Sequence, residues 1–154
     1  MNILICGLQG TGKTTLSKRI SKDFNFKYIN DYSIFNLKNE NSKRAIVDFI
    51  CGNDNYVIDL CYSLTPSECS KLNCITYFLG FSSIEPKVLY KLMKEKGENI
   101  TLNQIENNRA QSQQFQEECK KFNISFYDIN KDRNMLLDCI VNEVKLKLNS
   151  LKSN

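Results

Sequence analysis

A short segment near the N-terminus has residue types and a spacing that suit the binding of phosphate groups. Positions 7–14 are GLQGTGKT, which matches the pattern G-x-x-x-x-G-K-[ST]. In such a segment the glycines let consecutive backbone N–H groups turn inward around phosphate oxygens, and the start of the following helix adds a favourable dipole. The predicted nucleotide-binding residues are Gly7, Gln9, Gly10, Thr11, Gly12, Lys13, Thr14 and Thr15.

Two side chains of this segment carry specific chemistry. Lys13 supplies a mobile positive charge that can follow the β- and γ-phosphates, and the Thr14 hydroxyl suits the coordination of Mg²⁺. The alternative is a glycine-rich turn that only allows close packing. The segment lies between an apolar run at 2–6 and a helix-patterned stretch at 15–24. That order favours a phosphate-binding loop, because the loop needs a strand before it and a helix after it.

Asp59 is the second candidate group, because it stands at the end of an apolar segment predicted to be a strand, 56–60. A carboxylate in this position beside a phosphate loop predicts a group linked to the metal, while a cap of the following loop is the alternative. The chain contains no histidine. Proton transfer is therefore left to Asp, Glu, Lys and Tyr.

Hydrophobic periodicity and capping signals predict five short strands that alternate with helices. The predicted strands are 2–6, 25–30, 56–60, 74–79 and 124–127. Thr65 with Glu68 and Thr101 with Gln104 form capping boxes, and Ser83 is predicted to cap the helix between them. This alternation predicts an α/β three-layer sandwich: a five-stranded parallel sheet with helices on both faces and a ligand site at the carboxyl ends of the strands.

Composition limits the class of protein. A chain of 154 residues, 42% of them hydrophobic, predicts a single domain over 1–154. The net charge of +4 is spread along the chain, which argues against a nucleic-acid partner and suits anionic small ligands. No apolar run is long enough for a secretory signal or a membrane span, so we expect a cytoplasmic protein with no membrane partner. The seven cysteines include no C-x-x-C, which argues against zinc binding. Predicted strands or apolar helix faces hold four of them, which are expected to be small buried thiols: Cys6, Cys74, Cys119 and Cys139.

With these elements in place, the chain resembles the small P-loop kinases: adenylate kinase and other nucleoside monophosphate kinases, shikimate kinase and gluconate kinase. The resemblance rests on GLQGTGKT and on Tyr56-Val57-Ile58-Asp59, and it extends to the order of elements over nearly the whole chain. It implies ATP as the phosphoryl donor, Mg²⁺ held near Thr14 and Asp59, and a small-molecule acceptor. We expect a monomer or a homodimer.

The resemblance also implies roles on the acceptor side. Asp31 resembles the acidic residue that faces the acceptor hydroxyl in shikimate-type kinases, although it can also be an ordinary helix cap. The segment at about 31–55 would then bind the acceptor, and that at about 91–112 would be a lid whose Arg109 reaches the transferring phosphate. An arginine on such a helix can instead lie in solvent or pair with a neighbour. The predicted substrate-binding residues are Asp31, Arg44, Tyr62 and Ser63.

The chain departs from the adenylate kinase pattern after Asp59. Adenylate kinases continue with glycine, an aromatic residue, proline and an arginine that grips the acceptor's phosphate, whereas positions 60–63 here are LCYS. The acceptor therefore stays open among nucleosides, nucleoside monophosphates and small hydroxy acids. A non-catalytic ATP-sensing module and an NTP-hydrolysing switch are the alternatives, although Leu60 stands where many hydrolysing P-loop proteins have glutamate.

Overall fold

The computed structural model describes residues 1–129 and 133–153 and contains five strands and seven helices there. The strands are β1 (Asn2–Gly7), β2 (Lys27–Asn30), β3 (Tyr56–Leu60), β4 (Cys74–Gly80) and β5 (Ser125–Asp128). The helices are α1 (Lys13–Phe24), α2 (Asp31–Lys38), α3 (Lys43–Gly52), α4 (Pro66–Cys69), α5 (Pro86–Glu95), α6 (Leu102–Lys121) and α7 (Arg133–Lys152).

All five strands lie in one parallel sheet with the order β2-β3-β1-β4-β5. The predicted α/β sandwich is thereby confirmed. β1 lies at the centre of the sheet. Its two neighbours, β3 and β4, are not the next strand in the sequence, so long segments of chain connect them to β1. In the register between β1 and β3, Ile5 lies opposite Asp59. The carboxyl end of β3 therefore lies beside the loop that leaves β1, at the edge where ligands bind in open parallel sheets.

Alternate residues of β1 pack into two hydrophobic clusters, one on each face of the sheet. Ile3 and Ile5 pack with Leu16 and Ile20 of α1 in the first cluster, which α7 also covers. The intervening residues of β1 face the second cluster, formed with α2, α3 and α6. Leu16 and Ile20 are completely buried, and each such side chain contributes roughly 1.5–3 kcal/mol by burial. This packing holds the first turn of α1 rigidly under the loop that precedes it.

Both predicted capping boxes are present, but the predicted cap at Ser83 is wrong. α5 begins at Pro86, with Glu85 at the N-cap position and no side-chain cap. Proline suits this first position because it has no N–H to satisfy. The N–H groups of Ser82 and Ser83 instead donate to the two carboxylate oxygens of Asp128, at 3.0 and 3.1 Å. The carboxylate that ends β5 thus orders the connection after β4.

The cysteines differ in burial, and the described helices differ from membrane-spanning ones. Cys6 and Cys119 are buried as predicted and Cys74 is half-buried, whereas Cys139 is exposed because it lies on the outer side of α7. Among the described residues, no helix combines the length and the apolar character needed to cross a membrane.

Candidate active site

Three glycines of the loop between β1 and α1 are favoured by its backbone conformation or by the space around them. Gly10 and Gly12 have φ angles of 83° and 88°, in the left-handed region that side chains disfavour. A Cβ on Gly7 would lie 2.7 Å from Thr11 Oγ1. Helix α1 begins at Lys13, directly after Gly12. The free N–H groups of the first turn therefore point toward the mouth of the loop, as the binding of phosphate requires.

Not every residue of the predicted nucleotide-binding set faces a ligand with its side chain. Thr11 is fully buried, and both its hydroxyl and its N–H donate to Leu8 O, at 2.8 and 3.3 Å. The Gln9 amide donates to Glu98 Oε2 at 2.7 Å, after the end of α5. Thr15 is exposed in the first turn of α1. The side chains of Thr11 and Gln9 thus hold the loop itself, because their polar atoms are used within the protein.

Lys13, Thr14 and Asp59 form the central polar cluster. Asp59 is only 3% exposed. Thr14 Oγ1 donates to Asp59 Oδ2 at 2.6 Å across a separation of 45 residues. Lys13 Nζ lies 3.4 Å from Asp59 Oδ1. The structure therefore brings together the lysine, the hydroxyl and the carboxylate that the sequence analysis proposed for the donor site.

The free oxygen of Asp59 indicates what this cluster can hold. Oδ1 is buried and accepts no hydrogen bond, because Lys13 approaches it without hydrogen-bond geometry. Leaving a buried carboxylate oxygen without a donor is costly unless a cation or a bound water satisfies it. No group of three or more acidic or cysteine side chains suited to a metal occurs in residues 1–129 and 133–153. A site with one carboxylate and one hydroxyl fits Mg²⁺, which usually takes few protein ligands together with substrate phosphates.

Tyr28 also belongs to this cluster, although the sequence analysis did not select it. Its hydroxyl donates to Asp59 Oδ2 at 3.2 Å. Burial raises the pKa of Tyr28, and the negative charge of Asp59 raises it further, so the phenol stays a neutral donor. Strand alternation could have indicated this role from the sequence. Tyr28 shares a face of β2 with Asn30, which lies opposite Asp59.

Asp31 organises the side of the site that faces α2. Its Oδ2 accepts hydrogen bonds from Cys61 N at 3.0 Å and from Ser63 Oγ at 2.8 Å. Its Oδ1 accepts one from Tyr32 N at 2.8 Å. The side chain that caps α2 is that of Asn30, which accepts from Ser33 N. Asp31 and Ser63 are therefore together as predicted, and the carboxylate has one acceptor position left for a ligand.

The structure does not bring Tyr62 and Arg44 to this group. The Tyr62 side chain packs against Phe78 and Phe115, and its hydroxyl donates to Leu79 O at 2.7 Å. The backbone of Tyr62 is left-handed, with φ 49°, and the ring lies in the second hydrophobic cluster. Arg44 is exposed on α3, where its Nε lies 3.6 Å from Asp48 Oδ2. The prediction that Tyr62 lines an acceptor pocket is wrong, because its side chain and hydroxyl are used in the core.

Arg109 is turned toward the connection after β4. Its Nε donates to Ser82 O at 3.4 Å, and its Nη2 lies 3.8 Å from Glu85 Oε1. Within the described part of the chain, no hydrogen bond or ion pair joins it to the phosphate loop. The guanidinium that does contact the loop belongs to Arg133, at the start of α7, which donates to Gly10 O. The predicted lid contact of Arg109 is therefore not made in this structure.

A cleft of about 400 Å³ opens beside Gly10, on the side of α5 and α7. Its wall is mostly apolar, with a few polar groups at the rim. Apolar walls with few polar groups are typical of sites for small organic ligands. The lining residues are Gly10, Phe81, Ile84, Leu89, Leu92, Met93, Lys96, Ile129, Arg133 and Asn134.

Comparison with known proteins finds similarity in structure rather than in sequence. No protein-family model matches the chain, and no curated protein matches it. The chain has the fold of the small P-loop kinases. Shikimate kinase from Bacteroides thetaiotaomicron superposes with a TM-score of 0.64 at 16% identity, covering 97% of this chain and 98% of its own. For shikimate kinase from Acinetobacter baumannii, solved in complex with shikimate, the TM-score is 0.67 at 11% identity, over 99% and 95%.

A third similar structure is the YorR protein from Bacillus subtilis, solved in complex with phosphorylated GDP. Its TM-score is 0.66 at 16% identity, with 97% of this chain and 98% of that chain covered. The predicted resemblance to the small P-loop kinases is thus confirmed for the fold over nearly the whole chain.

Proposed function

We propose that the protein is an ATP- and Mg²⁺-dependent kinase that transfers the γ-phosphoryl group to a small acceptor. The observation that carries the proposal is the cluster of Lys13, Thr14 and Asp59 at the mouth of a glycine-rich loop, where Thr14 Oγ1 lies 2.6 Å from Asp59 Oδ2. The fold shared with shikimate kinases supports phosphoryl transfer as the reaction class. A small-molecule acceptor and a cytoplasmic monomer or homodimer, with no nucleic-acid or membrane partner, complete the proposal.

The donor half of the proposed site uses the loop from Gly7 to Thr14. Its backbone would hold the phosphates of ATP, and the apolar cleft beside Gly10 would take the base. Thr14 and Asp59 would hold Mg²⁺, which when bound neutralises charge on the transferring phosphoryl group. Lys13 Nζ lies 3.4 Å from Asp59 Oδ1 without a hydrogen bond, and a metal bound beside Asp59 would take the place of its ammonium, which could then reach the phosphates.

The acceptor half of the proposed site uses Asp31. Three hydrogen bonds hold its carboxylate in one orientation, and one acceptor position stays available on Oδ1. Asp31 would orient the acceptor hydroxyl and take up its proton as transfer proceeds. α2 and α3 lie in the segment at about 31–55, so the part that binds the acceptor is small.

An acceptor screen tests the proposal. The purified protein is incubated with ATP and Mg²⁺, and ADP production is measured alone and with nucleosides, nucleoside monophosphates and small hydroxy acids. We expect slow hydrolysis alone and a large rise with the right acceptor, because small kinases exclude water when donor and acceptor are both bound. Acceptor-free hydrolysis at roughly 10 s⁻¹ or faster, with nothing phosphorylated, would indicate a hydrolytic switch. Binding of ATP without any turnover would indicate a sensing module.

A further inference from the structure

The Tyr28 hydroxyl lies in the candidate metal site although the phosphate-loop motif does not account for it. It donates to Asp59 Oδ2 at 3.2 Å, and the same oxygen accepts from Thr14 Oγ1 at 2.6 Å. The other oxygen, Oδ1, is buried and accepts no hydrogen bond. The carboxylate is therefore held through Oδ2 by two hydroxyl groups, whereas Oδ1 makes no hydrogen bond and has the Lys13 ammonium 3.4 Å away.

This difference between the two oxygens determines the direction in which the Oδ1 atom of Asp59 points. The terminal torsion of an aspartate is broad, so hydrogen bonds decide how the carboxylate is rotated. The Thr14 hydroxyl can bind a metal through a lone pair while its O–H donates to Asp59, so its position has to satisfy both partners. The bond from Tyr28 carries no such double constraint. Tyr28 is thus the donor to Oδ2 whose position is set by the protein alone.

Tyr28 is itself held in place from two directions. Its backbone pairs with β3, opposite Val57, and Lys18 Nζ lies 5.6 Å from the centre of its ring. We propose that Tyr28 is a positioning residue whose hydroxyl holds Asp59 in the orientation that receives Mg²⁺ together with a nucleotide. This inference rests on the proposed function, because it assumes that the loop binds a nucleotide with Mg²⁺.

Binding of ADP, measured by calorimetry with and without Mg²⁺, tests the inference without relying on turnover. In Tyr28→Phe we expect the Mg²⁺ concentration for half-maximal enhancement of ADP binding to rise about tenfold, as is typical when a group that orients a metal ligand is lost. ADP affinity in EDTA should stay unchanged. Tyr56→Phe is the matched control, because it removes one hydroxyl from the adjacent strand β3, where the ring packs against Phe49 at 5.1 Å between ring centres. It should titrate like the wild type.

A double-mutant cycle with Asp59→Asn separates positioning from a general structural effect. If Tyr28 acts through the Asp59 carboxylate, Tyr28→Phe should change the Mg²⁺ titration much less in the Asp59→Asn background than alone. Equal Mg²⁺ titrations for Tyr28→Phe and the wild type would overturn the inference alone. A loss of ADP affinity that is the same in EDTA and in Mg²⁺ would also overturn it. The same holds if the effects of Tyr28→Phe and Asp59→Asn on the Mg²⁺ titration simply add. A wild-type protein whose ADP binding ignores Mg²⁺ would overturn the proposed function and this inference together.

Discussion

The two halves of the candidate site differ in how their polar groups are satisfied. On the donor side, Asp59 is buried beneath the more exposed Lys13 and Thr14, and Oδ1 of its carboxylate accepts no hydrogen bond. On the acceptor side, Asp31 accepts three hydrogen bonds, and Arg44 pairs with Asp48 on the surface. The donor side therefore has unmet bonding capacity for a ligand, whereas the acceptor side is largely satisfied by the protein itself.

This difference predicts which half of the site has the stricter requirement for its ligand. A buried group with unmet bonding capacity gains strongly from the right ligand, because the low dielectric around it increases the interaction. A half-buried group such as Asp31, whose hydrogen bonds are largely made within the protein, gains less from a ligand and tolerates several ligands. We therefore expect changes on the donor side to have large effects and those on the acceptor side to have smaller ones, with the chemistry of the acceptor as the variable part.

Removing the cation of the donor side should have the largest effect. Lys13→Ala leaves the backbone of the loop intact but deletes the charge that faces the β- and γ-phosphates, so phosphoryl transfer should fall by about 10³-fold. Steady-state kinetics with ATP measure this, and ADP binding should persist. Lys22→Ala, an exposed change on the same helix, is the control and should retain full activity. Turnover by Lys13→Ala near the wild-type rate would remove Lys13 from the reaction.

A methyl group at Gly10 should damage the donor side more than the same strain elsewhere. Gly10 and Gly97 have similar φ angles of 83° and 78°, so alanine at either costs about 1–2 kcal/mol of backbone strain. A Cβ at Gly10 would also lie 2.5 Å from Met93 Cε, whereas at Gly97 it meets nothing within 4 Å. Met93 Cε is the end of a flexible side chain that lines the cleft and can shift, so overpacking adds only about 1 kcal/mol and urea unfolding should show a slightly larger loss of stability for Gly10→Ala. Equal losses would mean that Met93 moves aside freely.

Asp31→Asn tests whether the acceptor side is separable from the donor side. The amide cannot accept all three hydrogen bonds, so the free energy of unfolding should fall by about 1–2 kcal/mol and kcat should fall about tenfold or more. The KM for ATP should stay nearly constant. Asp48→Asn removes a carboxylate from the exposed face of α3 and serves as the control. A parallel loss of ATP affinity would assign Asp31 to the donor side instead.

Arg109→Ala should have the smallest effect. The guanidinium contacts Ser82 O and Glu85 rather than the loop, and exposed ion pairs of this kind contribute about 0–1 kcal/mol. We expect kcat to change less than about threefold. Gln113→Ala, which removes another donor to Ser82 O, should have a similarly small effect on kcat. A loss of a hundredfold or more in kcat for Arg109→Ala alone would restore the lid role predicted from the sequence.

The element order, the parallel sheet and the donor cluster could be predicted from the residues alone. These follow from local rules: glycine spacing controls the loop backbone, continuous apolar runs predict strands buried on both faces such as β1, and capping boxes start α4 and α6. Lys13, Thr14 and Asp59 could be grouped in advance because the carboxyl ends of parallel strands meet at one edge of a sheet.

Packing between elements far apart in the sequence selects the side chains that complete the site. Tyr62 turns into the core through a left-handed backbone, a conformation rare for tyrosine. Arg133 reaches Gly10 O across 123 residues, and Tyr28 reaches Asp59 from the edge strand. Contacts of this kind depend on packing between elements distant in the chain. A pattern in the sequence reports the backbone and the burial of each element, but not the direction in which a long polar side chain finds its partner.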